Sequence, residues 1–211
     1  LSAGEAGGYS YYTMPLVEGS SLRSRLVTGE PLPLAEAISI LKDIARALAY
    51  AHAEGVVHRD IKPENVLLSG GTAVVTDFGI AKAMDAARTE DDGTLTRPGS
   101  SLGTPGYMAP EQVAGDRIDP RTDIYAWGVL AWELLAGRHP FADKVGAKAV
   151  MMAHLTTRPP PLEAFATAAP PELCALVMRC LEKDANQRPA SANELLDVLS
   201  TAVTPAAHRD L

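Results

Sequence analysis

The sequence predicts an α+β fold that is mainly helical, with one small β-hairpin and one edge strand. Three observations predict it. Residues 66–75, VLLSGGTAVV, are two short apolar runs joined by a Ser-Gly-Gly turn. A Gly-Gly pair between such runs marks a hairpin, because glycine accepts the positive φ that a tight turn demands. Leu34, Ile38, Leu41, Ala45, Leu48 and His52 recur on one face of a helix running from Pro33 to about His52. Residues 122–136, TDIYAWGVLAWELLA, are apolar nearly all round, as in a helix buried at the centre of a domain.

The other elements follow in order. Residues 9–17, YSYYTMPLV, read as a Tyr-rich strand stopped by Pro15, and Glu18-Gly19-Ser20-Ser21 as a turn. The first long helix has Gly55 as its stop. After the hairpin comes a polar stretch from Ala83 to Ser101, longer than an ordinary connection, and loops of that length are functional or disordered. Pro-rich punctuation at 158–161 and 170–171 then separates helices near 144–155, 172–183 and 191–202.

Composition narrows the function. The chain has 211 residues, 46% of them hydrophobic, which is enough for a packed core. Nineteen Lys and Arg against 26 Asp and Glu leave a formal charge of -7. Such a surface repels phosphate backbones, so nucleic acid is not expected as a general partner. A phosphate-bearing ligand would need a local cation or a metal. Cys174 and Cys180 lie on different faces of a helix, which favours neither a zinc pair nor a disulfide and suits two buried thiols in a reducing compartment. No apolar run approaches the roughly 18 residues of a membrane span, and no signal peptide opens the chain. The first residue is Leu, so the chain is expected to be a piece of a longer protein.

Chemistry gathers at one end of the hairpin. Folding the chain about Gly70-Gly71 sets Asn65 opposite Asp77 within a residue or so, with Asp60 and Lys62 in the loop leading in. An Asp carboxylate with an Asn carbonyl is all-oxygen ligation, which suits Mg2+ carrying its own waters and substrate phosphate. Zinc would want His or Cys, and His58 stands alone, so a structural role is expected for it. Metal and Lys62 can neutralise phosphate charge while Asp60 orients an attacking hydroxyl and takes its proton. Any one of these residues could merely cap a turn; chance spacing is a poor account of Asp60, Lys62, Asn65 and Asp77 jointly.

These residues also carry a resemblance. HRDIKPEN at 58–65, Asp77-Phe78-Gly79 and Ala109-Pro110-Glu111 resemble, in order and spacing, the motifs of the eukaryotic-like (Hanks-type) serine/threonine protein kinases, especially the bacterial ones. The resemblance implies Asp60 as catalytic base, Asn65 and Asp77 as magnesium ligands, and Lys62 as the lysine that steadies the transferred phosphate, with ATP as phosphate donor. It implies that Thr104 braces Asp60 and Lys62. Met14, Pro15, Leu16 and Val17 resemble the hinge that receives adenine, Met14 being the gatekeeper, with Glu64, Leu67 and Thr76 as further nucleotide contacts. Pro15 lacks an N–H, but its carbonyl survives. Arg59 before Asp60 is associated with activation by loop phosphorylation, a phosphate pairing with its guanidinium. Among Thr89, Thr94, Thr96, Ser100 and Ser101, the resemblance to the bacterial members, which carry a phosphosite at the position Thr96 holds relative to Thr104, implies Thr96 first, then Thr94. Asp123 resembles the acid that holds the catalytic-loop backbone, although a plain helix cap explains it nearly as well. Arg188 resembles the partner of Glu111.

A complete kinase opens with a glycine-rich strand pair, a strand lysine and a helix glutamate. None is in this sequence: Gly4, Gly7 and Gly8 do not form GxGxxG, and SAGEAGGYSYY reads as the turn before the hinge strand. The expected organisation is therefore a remnant of the small lobe and hinge at 1–18 and the large lobe at 19–204. The latter holds the catalytic loop (58–65) and activation segment (77–111), and 205–211 is a tail or the start of a linker. The expected function is ATP-dependent phosphorylation of protein Ser/Thr hydroxyls, with self-association for autophosphorylation and little activity from this chain alone. The expected location is the cytoplasm, with any membrane anchor lying beyond Leu211. Two other classes stay open. A non-catalytic kinase-like scaffold would not need Asp60 or Asp77, and a small-molecule phosphotransferase would generally lack Lys62, Phe78-Gly79 and the Ala-Pro-Glu segment.

Overall fold

The structure is a computed structural model that describes residues 2–6, 9–13, 16–27, 32–78 and 105–202. Its centre is α4 (Arg121–Ala136), in which every residue from Thr122 to Leu134 is buried. The all-round apolar pattern of this helix dictates that place, since neighbours must cover every face. Helix α2 (Leu34–Ala53) packs on it and buries Ile38, Leu41, Ile44, Ala45 and Leu48. Leu41, Ile44 and Leu48 are fully buried, each worth about 1.5–3 kcal/mol of transfer free energy. The indole N–H of Trp127 in α4 donates to the Leu41 carbonyl at 3.1 Å, so the ring's polar edge is satisfied inside the core.

Helix α6 (Pro171–Cys180) covers another side of α4, and α7 (Ala192–Ala202) packs on both α2 and α6. A glycine inside a helix is intrinsically costly, and Gly128 in α4 has a packing reason to be there. A Cβ at that position would sit 2.6 Å from Cys180 Cβ. The α4–α6 approach thus depends on a glycine facing a small thiol. Both Cys174 and Cys180 are buried free thiols, and burial pushes their pKa values up. The short α1 (Leu22–Val27), α3 (Pro110–Ala114) and α5 (Ala147–Thr156) complete the α-helices among the described residues.

The sheet elements correct the sequence reading in two places. Residues 2–6 are not a turn: β1 (Ser2–Ala6) pairs antiparallel with β2 (Tyr9–Thr13), in the register Ser2↔Thr13. Ser20–Ser21 is not only a turn: it forms β3, which adds to the hairpin of β4 (Val66–Ser69) and β5 (Thr72–Val75). The result is a three-stranded sheet in the order β3-β4-β5, with the β1-β2 pair separate from it. Turn-type residues misled here because a two-residue strand needs only its backbone paired, and side-chain pattern says little about so short an element. The helix expected from 144 starts at Ala147, after Gly146 with its φ of 87°. The hairpin turn is as expected: Gly70 and Gly71 have φ of 56° and 82°, a pair of positive angles that glycine adopts without strain.

Candidate active site

Residues 58–65 lie between the end of α2 and β4, so the loop is anchored at both ends by the core. His58 is fully buried. Its Nε2–H donates to the Thr76 carbonyl at 2.9 Å, and its Nδ1 accepts from the Asp60 backbone N–H at 3.2 Å. Only the neutral Nε2–H tautomer satisfies both contacts. Burial accordingly holds its pKa below the ordinary histidine value. The ring also meets Phe78 with centroids 4.6 Å apart. His58 is thus a structural tie between the loop, the hairpin end and the residue after Asp77.

Asp123, in the first turn of α4, has no exposed surface. Its carboxylate accepts from the backbone N–H groups of His58 (2.8 Å) and Arg59 (2.7 Å) and from His52 Nε2 (2.8 Å). Three donors offset the desolvation of the charge. More than a helix cap, this carboxylate grips the loop itself. Arg59 has a φ of 67°, left-handed for a residue with a Cβ, which costs about 1–2 kcal/mol. Its guanidinium has no hydrogen bond or ion pair among the described residues.

Three site residues meet at Asp60. Its Oδ2 accepts from Lys62 Nζ at 2.8 Å and from Asn65 Nδ2 at 3.1 Å, and Asn65 Nδ2 also donates to the Asp60 carbonyl at 2.9 Å. The Asn65 amide is thereby oriented by its nitrogen, which leaves Oδ1 without a hydrogen bond among the described residues. Across the hairpin end, the Thr76 N–H donates to the Asn65 carbonyl at 2.9 Å. Asp77 is the next residue, exposed and in the left-handed region at φ 57°. Among the described residues the two non-glycine positions with positive φ are therefore Arg59 and Asp77, both at the site. Strained backbone of this kind persists where the surroundings enforce it.

These donors fit a magnesium ion. Asn65 Oδ1 and the Asp77 carboxylate would be hard oxygen ligands, both just beyond the last hairpin rung, Val66↔Val75, and Mg2+ needs only one or two protein ligands. Among the described residues no group of three or more His, Cys, Asp or Glu could hold a metal, so a cage of the zinc type is not formed there.

The Ala109-Pro110-Glu111 turn is tied down separately. Arg188 is 4% exposed and uses every N–H it has. It pairs bidentately with Glu111, both bonds at 2.8 Å, and donates to the carbonyls of Arg121, Glu182 and Lys183. Thr122 Oγ1 donates to the same Glu111 carboxylate at 2.7 Å. Burial alone would raise the Glu111 pKa, but the Arg188 hydrogen bonds and charge outweigh it and hold the pKa below the ordinary value. Pro105–Tyr107 lines an open cavity of about 440 Å3 with Arg23, Glu133, His139 and Phe141. There Arg23 donates to Glu64 (2.8 Å), Glu133 (3.1 Å) and the Tyr107 hydroxyl (2.6 Å), and Tyr107 donates to Glu133. The Gly106 carbonyl accepts from both His139 Nε2 (2.7 Å) and His154 Nε2 (2.9 Å).

Of the remaining residues singled out in the sequence, Leu16 is 91% exposed and Val17 half-buried, while Leu67 pairs with Val74 in the hairpin. Thr76 Oγ1 donates to the Asn65 carbonyl at 3.3 Å, and the Glu64 side chain is engaged by Arg23. Met14, Pro15, Gly79, Thr104 and the loop hydroxyls at Thr89, Thr94, Thr96, Ser100 and Ser101 lie outside the described residues. The sequence reading missed His52, Arg23 and Gln112. His52 fell on the apolar stripe of its helix and passed for a spacer, and a lone Arg or Gln gives no periodic signal.

A helical domain with this loop, hairpin and anchored Ala-Pro-Glu turn has the architecture of a protein kinase catalytic domain. The chain belongs to that family: the profile described as protein kinase domain matches residues 3–198. It is 42% identical over 210 residues to the serine/threonine-protein kinase pkn2 of Myxococcus xanthus, a match covering 94% of this chain and 24% of that protein. It is 40% identical over 195 residues to the serine/threonine-protein kinase PknA of Mycobacterium tuberculosis, covering 92% of this chain and 43% of that protein. The chain thus spans less than half the length of these relatives. The crystal structure of the Mycobacterium tuberculosis PknI kinase domain superposes with a TM-score of 0.72 at 29% identity, over 95% of this chain and 69% of that one.

Proposed function

We propose that this chain carries the catalytic lobe of a serine/threonine protein kinase, transferring the γ-phosphoryl group of ATP to Ser or Thr hydroxyls of proteins. The supporting observation is the Asp60 carboxylate held between Lys62 Nζ and Asn65 Nδ2 beside the hairpin end that carries Asp77. Asp60 accepts the hydroxyl proton as the new O–P bond forms and the bond to the β-phosphate oxygen breaks, releasing ADP. Lys62 is already within 2.8 Å of Asp60 and reaches the transferred phosphate from there as a point cation. Asn65 Oδ1 and Asp77 would hold Mg2+, whose chemistry is to neutralise charge on the phosphate oxygens. Thr104 braces Asp60 and Lys62, residues 14–17 receive adenine, and Leu67, Thr76 and Glu64 border the nucleotide. In this reading residues 19–204 are the large lobe and 1–18 the strand pair and hinge. Thr96 is the first choice, and Thr94 the second, for the phosphate that pairs with Arg59.

In this reading the reaction is expected in the cytoplasm, where ATP is available as donor. No described helix is long and apolar enough to cross a membrane.

The test is transfer of label from γ-labelled ATP with Mg2+ to a Ser/Thr-containing protein, run on the product of the complete reading frame and on its Asp60→Asn variant. The proposal expects labelled phosphoserine or phosphothreonine from the parent and a loss of at least about a hundredfold in Asp60→Asn, the scale of general-base catalysis. Equal labelling by both would refute it and favour the scaffold reading.

A further inference from the structure

The loop residue before Asp60 is clamped from two sides, and only one clamp comes from a charged residue. On one side, Asp123 accepts the Arg59 N–H at 2.7 Å. On the other, the Arg59 carbonyl accepts from Gln112 Nε2 at 2.8 Å. Between them lies the left-handed φ of 67°. That conformation is unfavourable for a side chain with a Cβ, so something must hold it. The peptide that Gln112 grips is the one linking Arg59 to Asp60, and its rotation would carry the Asp60 side chain with it.

Gln112 is suited to this because both ends of its amide are engaged. Its Oε1 accepts from the Ala109 N–H at 3.0 Å, the donor that α3 leaves uncovered at its start. Covering that donor fixes the amide plane, so Nε2 points at the loop. The neighbouring Glu111 leaves the same helix turn in another direction, toward Arg188 and Thr122. One turn of α3 therefore fastens Ala109-Pro110-Glu111 both to the helical base and to the catalytic loop.

We infer that Gln112 is a positioning residue for Asp60, holding the strained Arg59–Asp60 peptide through its Nε2–H and thereby linking the placement of the Ala109-Pro110-Glu111 turn to that of the catalytic carboxylate. The role in catalysis rests on the kinase reading above; the holding of the peptide does not.

Two substitutions separate this role from general support of the fold. Gln112→Glu keeps an oxygen for the Ala109 N–H and replaces the donor with an acceptor facing the Arg59 carbonyl. Gln112→Met keeps the length and loses both contacts. The first measurement is amide hydrogen exchange over residues 58–65 in the complete protein. Loss of one buried hydrogen bond, about 1–1.5 kcal/mol, converts to roughly tenfold faster exchange there, with α4 and α7 unchanged. The second is steady-state phosphoryl transfer, in which kcat falls about tenfold in Gln112→Glu while KM for ATP stays within about twofold. Gln112→Asn, too short to span both partners, does not restore either value.

If exchange over 58–65 is unchanged in both Gln112→Glu and Gln112→Met, the inference is overturned. It is also overturned if kcat and KM match the parent while exchange rises, since the held peptide would then not position Asp60. If the parent protein transfers no phosphate, the kinase reading fails, and the exchange comparison alone decides whether Gln112 holds the peptide.

Discussion

Replacing Arg188 with Met removes a guanidinium whose donors reach Glu111 twice and three backbone carbonyls. The Glu111 carboxylate, whose side chain is 12% exposed, loses its guanidinium partner and keeps the neutral Thr122 hydroxyl as a side-chain donor. Stranding one member of a buried ion pair costs about 3–5 kcal/mol. For a chain of this length 1 kcal/mol shifts the melting midpoint by roughly 2–4 °C. The expected loss is therefore about 6–20 °C at neutral pH, read by scanning calorimetry. The double variant Arg188→Met/Glu111→Leu removes the stranded charge and should recover part of it, because an apolar pair of similar volume often replaces a buried ion pair with little loss. The acid limb gives a second readout. The folded carboxyl has a lowered pKa, while the unfolded one takes up its proton near 4.5. The unfolded state thus binds more protons below that value, and stability falls as pH falls. Arg188→Met should weaken that slope. A midpoint shift under about 3 °C, or a double variant as damaged as the sum of the singles, would refute the reasoning.

Gly128→Ala places a methyl 2.6 Å from Cys180 Cβ, and overpacking of this kind costs about 1–3 kcal/mol. A lower melting midpoint with unchanged helical circular dichroism is the expected result, and Cys180→Gly in the same chain should restore most of it. Acid lability is a further expectation. His58, His139 and His154 are held neutral by burial, His154 with its pKa lowered to about 3, where protonation would also meet His139 and the Lys183 charge. Unfolded histidines protonate near 6.5, so stability should fall as pH drops from about 6.5 toward 5. The limiting slope is about 1.4 kcal/mol per pH unit for each histidine. A melting midpoint that stays flat between pH 7 and 5 would contradict this. His139→Asn should flatten the profile while leaving the other two histidines in place.

How much of this was legible in the sequence depended on whether a residue's role had a periodic or spacing signature. The all-round apolar pattern of residues 122–136 placed the central helix, and the Gly-Gly turn placed the hairpin with Asn65 next to Asp77. Those features follow from local rules of period and turn geometry. The β1-β2 pair and the Ser20–Ser21 rung were not legible, because their pairing depends on which backbone lies alongside and not on their own side chains. Asp123 was recognisable as an acid at a helix start, but its three donors come from His52, His58 and Arg59, two of them in a loop more than 60 positions away. Gln112 was invisible for a related reason. A glutamine contributes no charge and no periodicity, and its importance lies in facing a backbone carbonyl 53 residues earlier.

The central claim is that Asn65 Oδ1 and the Asp77 carboxylate hold one divalent cation beside Asp60. Substituting paramagnetic Mn2+ for Mg2+ in the presence of ATP, and following nuclear magnetic resonance line widths, tests it directly. The account predicts broadening centred on the Asn65 side-chain amide and the backbone signals of Asp60 and Asp77, and its loss in Asp77→Asn. Broadening centred elsewhere, or undiminished in Asp77→Asn, would contradict it.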